Sequence, residues 1–184
     1  MKLYKLTDKD NYTRKGYYNE TLWGPGVRHS GTGKGDLCGP GYIHAYTSPY
    51  LAVLLNPIHA GMNPCKLWEA EGEIVKNDNG LKVGSVSLTT IRELPLPKFT
   101  SNQTVYFALL CVSQVYEDSG FISFVNDWMT GKDRSAEAAG AAARAAARAA
   151  EAAAEAAAWA ARAAARAADF NLIELAEKAY NWRG

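Results

Sequence analysis

The stretch from Ser135 to Ala168 is almost pure alanine, and it constrains the fold of this 184-residue chain more than any other feature. Alanine has the highest helix propensity, so the stretch predicts one long helix, 135–168. At about 100° per residue its few long side chains project within an arc of roughly 80°, and methyl groups cover the rest. Such a helix offers little apolar area per residue. We therefore expect it to pack closely against neighbouring helices.

The long side chains of this helix form a stripe in which charges of like sign are grouped. After Glu137, an arginine pair is followed by a glutamate pair, then by a tryptophan and a second arginine pair. Members of each pair are four residues apart, a spacing at which like charges repel mildly. If a second copy of the helix packed against the first with a shift along its axis, arginine pairs would lie opposite glutamate pairs, so we expect a homo-oligomer. The alternative is that the stripe simply faces water. The expected interface residues are Arg144, Arg148, Glu151, Glu155, Trp159, Arg162 and Arg166.

The composition limits the classes of partner. Twenty Lys and Arg residues against nineteen Asp and Glu give a net charge of +1, which predicts no attraction to a nucleic-acid polymer or an anionic membrane. Cys38, Cys65 and Cys111 lack the paired spacing of zinc or redox motifs, which favours reduced thiols, with Cys111 in a helix core. No apolar run near the N-terminus suits a signal peptide or a membrane span. We expect a soluble cytoplasmic protein.

Residues 1–97 have the pattern of strands and turns, with one short helix. The Asn79-Gly80 pair is typical of a tight hairpin turn, and it would join the last two predicted strands. Ser48 is a suitable N-cap and Pro49 a suitable first helical residue, and we expect that helix to end before Pro57. The predicted strands are 2–6, 42–46, 67–75 and 81–91.

Residues 98–184 have the pattern of helices. Thr100 and Gln103 have capping-box spacing before a helix that we expect to be buried nearly all round. A second amphipathic helix follows Asp118 and ends at Gly131. Helical spacing continues to the C-terminus, with a break expected near 169–171. The predicted fold class is α+β, with a small, mainly antiparallel sheet lobe over 1–97 and a helical region over 98–184.

Several short motifs in both halves resemble a family of phage and prophage proteins whose activity is not settled. The family motif is C-x-x-G-[FYI]-H-x-[CY]-x-x-P, shifted here by one residue, and Leu67-Trp68-Glu69-Ala70 follows it. The resemblance implies a phage origin, a host-cell cytoplasm and an N-terminal β domain followed by an alanine-rich helical extension. The matching motif positions are Cys38, Gly41, His44, Tyr46 and Pro49.

The strand over 42–46 carries the first candidate site. Alternation places Tyr42, His44 and Tyr46 on one face, where they suit stacking on a planar ligand and hydrogen bonding to it. A core histidine bonded to a backbone carbonyl is the equal alternative.

The second candidate site is the glycine-rich segment from Gly24 to Gly41. Its backbone N–H groups, together with Arg28, His29 and Lys34, are suited to hold a phosphate, although a plain mobile loop is the favoured interpretation. Trp23 and Trp68 flank these segments and complete the predicted ligand-binding set. On the strand over 67–75, a solvated face is favoured over a catalytic acid for the three acidic residues Glu69, Glu71 and Glu73.

These patterns favour a binding protein over an enzyme. We expect it to capture a small anionic, planar ligand of the nucleotide type without a cofactor, a metal or a catalytic residue. The resemblance to the phage and prophage family further implies that an oligomer of this protein sequesters a nucleotide signal of the host. One alternative is an ADP-ribosyltransferase-like or nucleotide-cleaving enzyme that uses His44 and a carboxylate from Glu69 to Glu73. Another is a protein–protein interaction factor that acts through the alanine helix.

Overall fold

The chain folds into two compact units, Met1–Lys98 and Phe99–Gly184. The computed structural model describes residues 1–78, 80–114, 118–135, 137, 140 and 171–184. Within this part, the first unit is a curled antiparallel sheet with one helix, and the second unit contains three helices. The predicted α+β class is confirmed.

The strands of the first unit form two larger antiparallel sheets and one small ribbon. One sheet has the order β1-β6-β9-β4, the other has the order β5-β8-β7, and β2 pairs with β3. In chain order the strands are β1 (Lys2–Asp8), β2 (Tyr12–Thr13), β3 (Thr21–Leu22), β4 (Arg28–Ser30), β5 (Ile43–Ala45), β6 (Cys65–Gly72), β7 (Lys76–Asn77), β8 (Val83–Ser85) and β9 (Ser87–Leu94).

Two connections join the larger sheets, so that the first unit curls on itself. Tyr4 and Tyr46 exchange backbone hydrogen bonds of 2.8 and 2.9 Å, which link β1 to the residue after β5. At the other side, β8 continues through Val86 into β9. The curl surrounds an apolar core of Leu3, Trp23, Ala45, Ala70, Val83 and Leu88.

The predicted hairpin is present in a modified form. Leu67 pairs with Leu94 and Gly72 with Leu88, with a register shift between Glu69 and Ala70. The strand predicted over 81–91 is divided at Val86, because its first part pairs in one sheet and its second part in the other. Of the predicted turn pair, Gly80 has a left-handed φ of 83°, and Asn79 lies outside the described residues.

The helix of the first unit, α1 (Pro49–His59), begins as predicted and ends later than predicted. The Ser48 hydroxyl accepts hydrogen bonds from the N–H groups of Tyr50 and Leu51, at 3.2 and 3.5 Å. The expected end before Pro57 is wrong, because Pro57 lies in the last turn and removes one helical hydrogen bond only. The N–H groups of Ala60 and Gly61 both donate to the Asn56 carbonyl and complete the helix end.

The glycine-rich segment is not the plain loop that its composition favours, since it contains β4, which pairs with β9. Beyond β4, the N–H of Gly31 donates to the Val86 carbonyl at 2.7 Å, and that of Gly33 donates to the Gly41 carbonyl at 2.8 Å. A Cβ atom on Gly41 would lie 1.9 Å from the Lys34 carbonyl oxygen. Glycine therefore permits two stretches of backbone to cross at close range here.

The second unit contains α2 (Ser101–Ser113), α3 (Ser119–Met129) and α4 (Leu172–Asn181). The capping box of Thr100 and Gln103 is confirmed. The expectation that α2 is buried nearly all round is wrong, because Val105 is 42 % exposed and Ala108 is exposed too. Packing against α3 and α4 covers one side of the helix only. The buried residues of α2 are Gln103, Tyr106, Phe107, Leu109 and Leu110.

The ends of α3 and α4 follow the sequence signals. The Asp118 carboxylate accepts from the Phe121 N–H at 2.8 Å, and Gly131 follows the helix with φ 77°. Of the predicted break near 169–171, the structure describes Asn171, whose side chain caps α4. The alanine-rich stretch over 136–170 lies outside the described residues, apart from positions 137 and 140.

Stacked aromatic rings hold the helices of the second unit together. Trp182 stacks on Tyr106 and on Trp128, with ring centroids 4.8 and 5.4 Å away. The Arg134 guanidinium lies about 5 Å from the rings of both tryptophans. The Gln103 amide donates to the Tyr180 carbonyl at 2.7 Å and thereby ties α2 to α4.

Cys38, Cys65 and Cys111 are all free thiols, as predicted. Cys111 lies half-buried on α2, and burial raises its pKa to about 11. Across the described residues, none of the helices has the length and apolar character needed to span a membrane.

The close crossing at Gly41 leads to a prediction about stability. We expect Gly41→Ala to lower the free energy of unfolding by about 2 kcal/mol or more, because the new methyl group overlaps the Lys34 carbonyl. In the control Gly24→Ala, the methyl group meets only Val27 at an ordinary 3.5 Å, so the change should stay within about 0.5 kcal/mol. Urea unfolding of both variants measures the difference. Equal effects would show that the crossing does not constrain the fold.

Candidate functional site

Two adjoining cavities of the first unit share four residues, and together they form what we call the groove. The first lobe has a volume of about 400 Å³ and the second lobe about 290 Å³. The shared residues are Lys5, Thr13, Arg14 and His44. The first lobe is also lined by Leu6, Asp8, Tyr12, Lys15, Tyr17, Tyr46, His59, Ala60, Gly61, Met62 and Lys82. The second lobe is also lined by Asn19, Glu20, Thr21, Trp23, His29, Ser30, Gly31, Gly39, Pro40, Tyr42 and Ile43.

Lys5 is a buried cation at the centre of the groove. Its side chain follows the inward side of β1 and is 9 % exposed. The ammonium donates to the His44 carbonyl at 2.8 Å and lies 5.1 Å from the centre of the Trp23 ring. Burial, together with the charge of Arg14, lowers the pKa of Lys5 to about 8. Within the described residues, no carboxylate lies within ion-pair distance of this ammonium.

Arg14 is the second shared cation, and its backbone is strained. Its φ of 56° is left-handed, a conformation that costs a residue with a side chain about 1 kcal/mol. Among the described residues, its guanidinium has neither a hydrogen bond nor an ion pair. The other two cations of the first lobe are balanced, because Lys15 lies 2.6 Å from Asp10 and Lys82 lies 3.9 Å from Asp78. Lys5 and Arg14, the groove cations without an ion pair among the described residues, thus lie where the lobes meet.

The first lobe has a wall of two parallel rings. Tyr46 and His59 stack with their centroids 5.9 Å apart and their planes inclined by 16°. Tyr46 Oη and His59 Nδ1 lie 3.2 Å apart, within hydrogen-bond distance. Burial raises the pKa of Tyr46 to about 12 and lowers the pKa of His59. Both rings are therefore neutral near pH 7 and form a flat, uncharged surface.

The second lobe has an aromatic wall of its own. The Trp23 and His29 rings meet edge to face, with centroids 4.7 Å apart. The His29 Nε2 donates to the Leu22 carbonyl at 2.8 Å, and the Trp23 indole donates to the Thr13 hydroxyl at 3.0 Å. Tyr42 donates to the Gly33 carbonyl at 2.8 Å. These hydrogen bonds hold the rings in place without a ligand.

The sequence left open whether His44 is a ligand-binding residue or a core histidine bonded to a backbone carbonyl, and the structure has features of both. Its Nε2 donates to the Leu37 carbonyl, as expected of a core histidine. The same residue lines both lobes of the groove. Burial lowers the pKa of His44 and outweighs the opposite effect of the Leu37 carbonyl, so the imidazole is neutral near pH 7. His44 therefore adds polarity to the groove but no charge.

The structure brings most of the predicted ligand-binding residues together and leaves three outside the groove. Trp23, His29, Tyr42, His44 and Tyr46 all line it. The remaining three residues have other surroundings: Arg28 donates to the Ser87 hydroxyl at 3.0 Å, Lys34 is exposed, and Trp68 is buried with its indole donating to Thr7 at 3.1 Å.

The predicted acidic face lies away from the groove. Glu69 forms ion pairs with Lys2 at 3.2 Å and with Arg92 at 2.8 Å, and these partners hold its pKa below the usual range. Glu73 follows the end of β6, and none of the three predicted glutamates lines either lobe.

The two central cations are the residues that the sequence analysis missed. One signal does point to Lys5, since it lies in phase with the fully buried Leu3 and Thr7 on β1. A lysine in that phase is unusual, because strand alternation normally reserves such positions for apolar side chains. No comparable signal marks Arg14, which reaches the groove through a turn. His59, at the end of α1, is another lining residue that local patterns do not identify.

The predicted oligomer interface lies in the part of the chain that the structure does not describe. The oligomer therefore stays a prediction. Its residues are Arg144, Arg148, Glu151, Glu155, Trp159, Arg162 and Arg166.

Comparison with known proteins gives no relative from which a function could be transferred. No protein-family model, curated protein or solved structure matches the chain. Within the described ranges, no group of three His, Cys, Asp or Glu side chains is arranged to hold a metal ion. The charges and rings of the groove are therefore the basis for assigning a function.

The buried charge of Lys5 leads to a prediction about pH. The ordinary pKa of 10.5 applies to the unfolded chain, whereas the folded chain releases the proton near pH 8. Between these values the unfolded state binds more protons, so the free energy of unfolding rises with pH. From about pH 7 to about pH 9.5, it should rise by about 2 kcal/mol more in the wild type than in Lys5→Met.

Urea unfolding of both proteins at the two pH values measures this difference. Methionine is unbranched like lysine, is one atom shorter and carries no charge, and the comparison with the wild type subtracts the titration that both proteins share. Identical pH dependence of the two proteins would contradict the lowered pKa of Lys5.

Proposed function

We propose that the groove binds a small anionic ligand with a planar group, of the nucleotide type, and that the protein releases this ligand unchanged. The observation that carries the proposal is the pair of cations at the centre, Lys5 and Arg14. Neither has a carboxylate partner among the described residues, and both line the two lobes.

The energetics of these two residues favour an anionic ligand. A buried ammonium without a counter-ion destabilises the folded state, and the left-handed backbone of Arg14 adds a further cost. Both costs occur at one place, where burial of an apolar side chain would have been more stable. A phosphate or carboxylate between Lys5 and Arg14 would offset them through charge-assisted hydrogen bonds.

The walls of the groove favour a planar group beside the anion. In the first lobe, the half-buried His59 ring lies stacked beside the buried Tyr46 ring. In the second lobe, the half-buried His29 ring meets the buried Trp23 ring edge to face. Aromatic faces of this kind stack on the bases of nucleotides. A nucleotide combines a phosphate with a planar base, which matches the order of groups along the groove.

The carboxylates of the groove favour binding over catalysis. Asp8 accepts from the N–H groups of Asp10 and Tyr12, at 2.9 and 2.7 Å, and Glu20 accepts from Gly16 at 2.5 Å. They hold the turn that carries Arg14. The Nε2 of His44 is engaged by Leu37, and none of Glu69, Glu71 and Glu73 lines the groove, so the pair named in the enzyme alternative is not arranged there. Retention without conversion also fits the sequestering role that the resemblance to phage proteins suggests.

Arg14→Gly separates binding from folding. Glycine accepts the left-handed backbone, so this variant should be as stable as the wild type or up to about 1 kcal/mol more stable. The loss of the guanidinium should weaken the binding of ADP by about tenfold or more, because a charge-assisted bond is lost. Isothermal titration calorimetry with ADP measures the affinity, and thermal unfolding measures the stability.

Asn11→Gly is the matched control. Asn11 has a similar φ of 71°, and its side chain accepts from Lys66 rather than lining the groove. Its affinity for ADP should equal that of the wild type. If ADP, GDP, NAD⁺ and cyclic dinucleotides all fail to raise the melting temperature of the wild type, the binding proposal is wrong.

The fate of the bound nucleotide tests the enzyme alternative. After incubation with the wild type and heat denaturation, we expect chromatography to recover the ligand intact. A converted ligand would establish the enzyme alternative, and His44→Ala would then show whether His44 takes part in the conversion.

A further inference from the structure

The groove consists of two lobes with a common centre, and this arrangement defines the ligand more narrowly. We propose that it takes a ligand of the dinucleotide type, with two planar groups joined by an anionic bridge. One planar group lies in each lobe, and the bridge lies at Lys5 and Arg14. This inference rests on the proposed function and deepens it.

The charges support the position of the bridge. Lys5 and Arg14 belong to both lobes, and they lie close enough for Arg14 to contribute to the lowered pKa of Lys5. The cations that belong to the first lobe alone, Lys15 and Lys82, are balanced by Asp10 and Asp78. The two cations without an ion pair therefore favour an anion at the junction, in the middle of the ligand rather than at one end.

The aromatic walls support two planar groups instead of one. Tyr46 and His59 line the first lobe and not the second, whereas Trp23 and His29 line the second lobe and not the first. A single base stacked on one wall leaves the other wall empty. Two bases on opposite sides of a phosphate bridge use both walls.

The sizes of the lobes agree with this division. Pockets for small ligands usually have volumes of about 300 to 1,000 Å³. The first lobe, with about 400 Å³, lies near the lower limit of that range and the second, with about 290 Å³, just below it, which suits one nucleoside in each lobe. The second lobe also presents neutral polar residues to a base or ribose, namely Asn19, Thr21 and Ser30.

A comparison of ADP with diadenosine diphosphate tests the inference. Both contain one pyrophosphate, but the second compound has two adenines and fewer negative charges, because each of its phosphates is esterified to a ribose and keeps only one ionisable oxygen. We expect it to bind about tenfold more tightly than ADP, since a second stacked base adds affinity. Calorimetry of both compounds in one buffer measures the ratio. Tighter binding of the less charged compound cannot come from charge alone.

Two histidine variants then test whether both lobes are used. His59→Ala alters the wall of the first lobe, and His29→Ala alters that of the second. Each should weaken the binding of diadenosine diphosphate by about fivefold, whereas only one of them should weaken the binding of ADP. Arg28→Ala is the control, because Arg28 precedes His29 on β4, bonds to Ser87 and does not line the groove.

The outcomes distinguish this inference from the proposed function. If ADP binds and diadenosine diphosphate binds no more tightly, or if one histidine variant leaves its affinity unchanged, the two-lobed site is wrong and the single anionic site stands. If neither compound binds the wild type, both proposals are wrong. Thermal unfolding of the unliganded variants confirms that an affinity loss is not a loss of folding.

Discussion

The groove depends on how β1 is held at both of its edges. Along one edge it pairs with β6 from Lys2 opposite Glu71 to Asp8 opposite Cys65. Along the other edge, the backbone of Tyr4 bonds to that of Tyr46 and brings β5 alongside. Because side chains alternate along a strand, this position turns Lys5 to the inward side with Leu3 and Thr7. The same pairing supplies the His44 carbonyl to the Lys5 ammonium.

The residues at the centre of the groove reduce the stability of the unit. An apolar residue at position 5 would remove a buried charge, and glycine at position 14 would relax a left-handed backbone. Strained residues cluster at active sites and ligand-binding sites, which is why these costs motivate the proposed function. The rings on either side carry no comparable cost, since each has a hydrogen-bond partner within the first unit. Under the proposed function, stability and binding make opposite demands on Lys5 and Arg14.

Much of the fold could be predicted from local signals. The caps at Ser48 and Thr100 act within a few residues of their own position, so the sequence shows where α1 and α2 begin, and α3 begins after Asp118 as predicted. Signals that depend on distant partners were less informative. The division of a strand at Val86 results from its membership in two sheets, which no local pattern encodes.

The candidate site shows the same limit. Tyr42, His44 and Tyr46 could be grouped because they alternate on one strand, and all three line the groove. Arg28 and Lys34 lie within a glycine-rich segment whose composition suits phosphate binding. In the structure, however, Gly41 allows two stretches of backbone to cross closely. Lys5 and Arg14 lie more than 25 residues from His44 in the chain, and only the curl of the sheet brings them beside it.

The sequence by itself determined the α+β class, the starts of the helices and an aromatic strand around His44, because propensity, capping and alternation act over a few residues. Tertiary structure alone decided that the cations Lys5 and Arg14 lie in the same groove as the aromatic residues of that strand. Their proximity depends on hydrogen bonds between strands that are far apart in the chain. The registers of these strands are set by the whole curled sheet. The chemistry of the groove is therefore a property of the fold as well as of its residues.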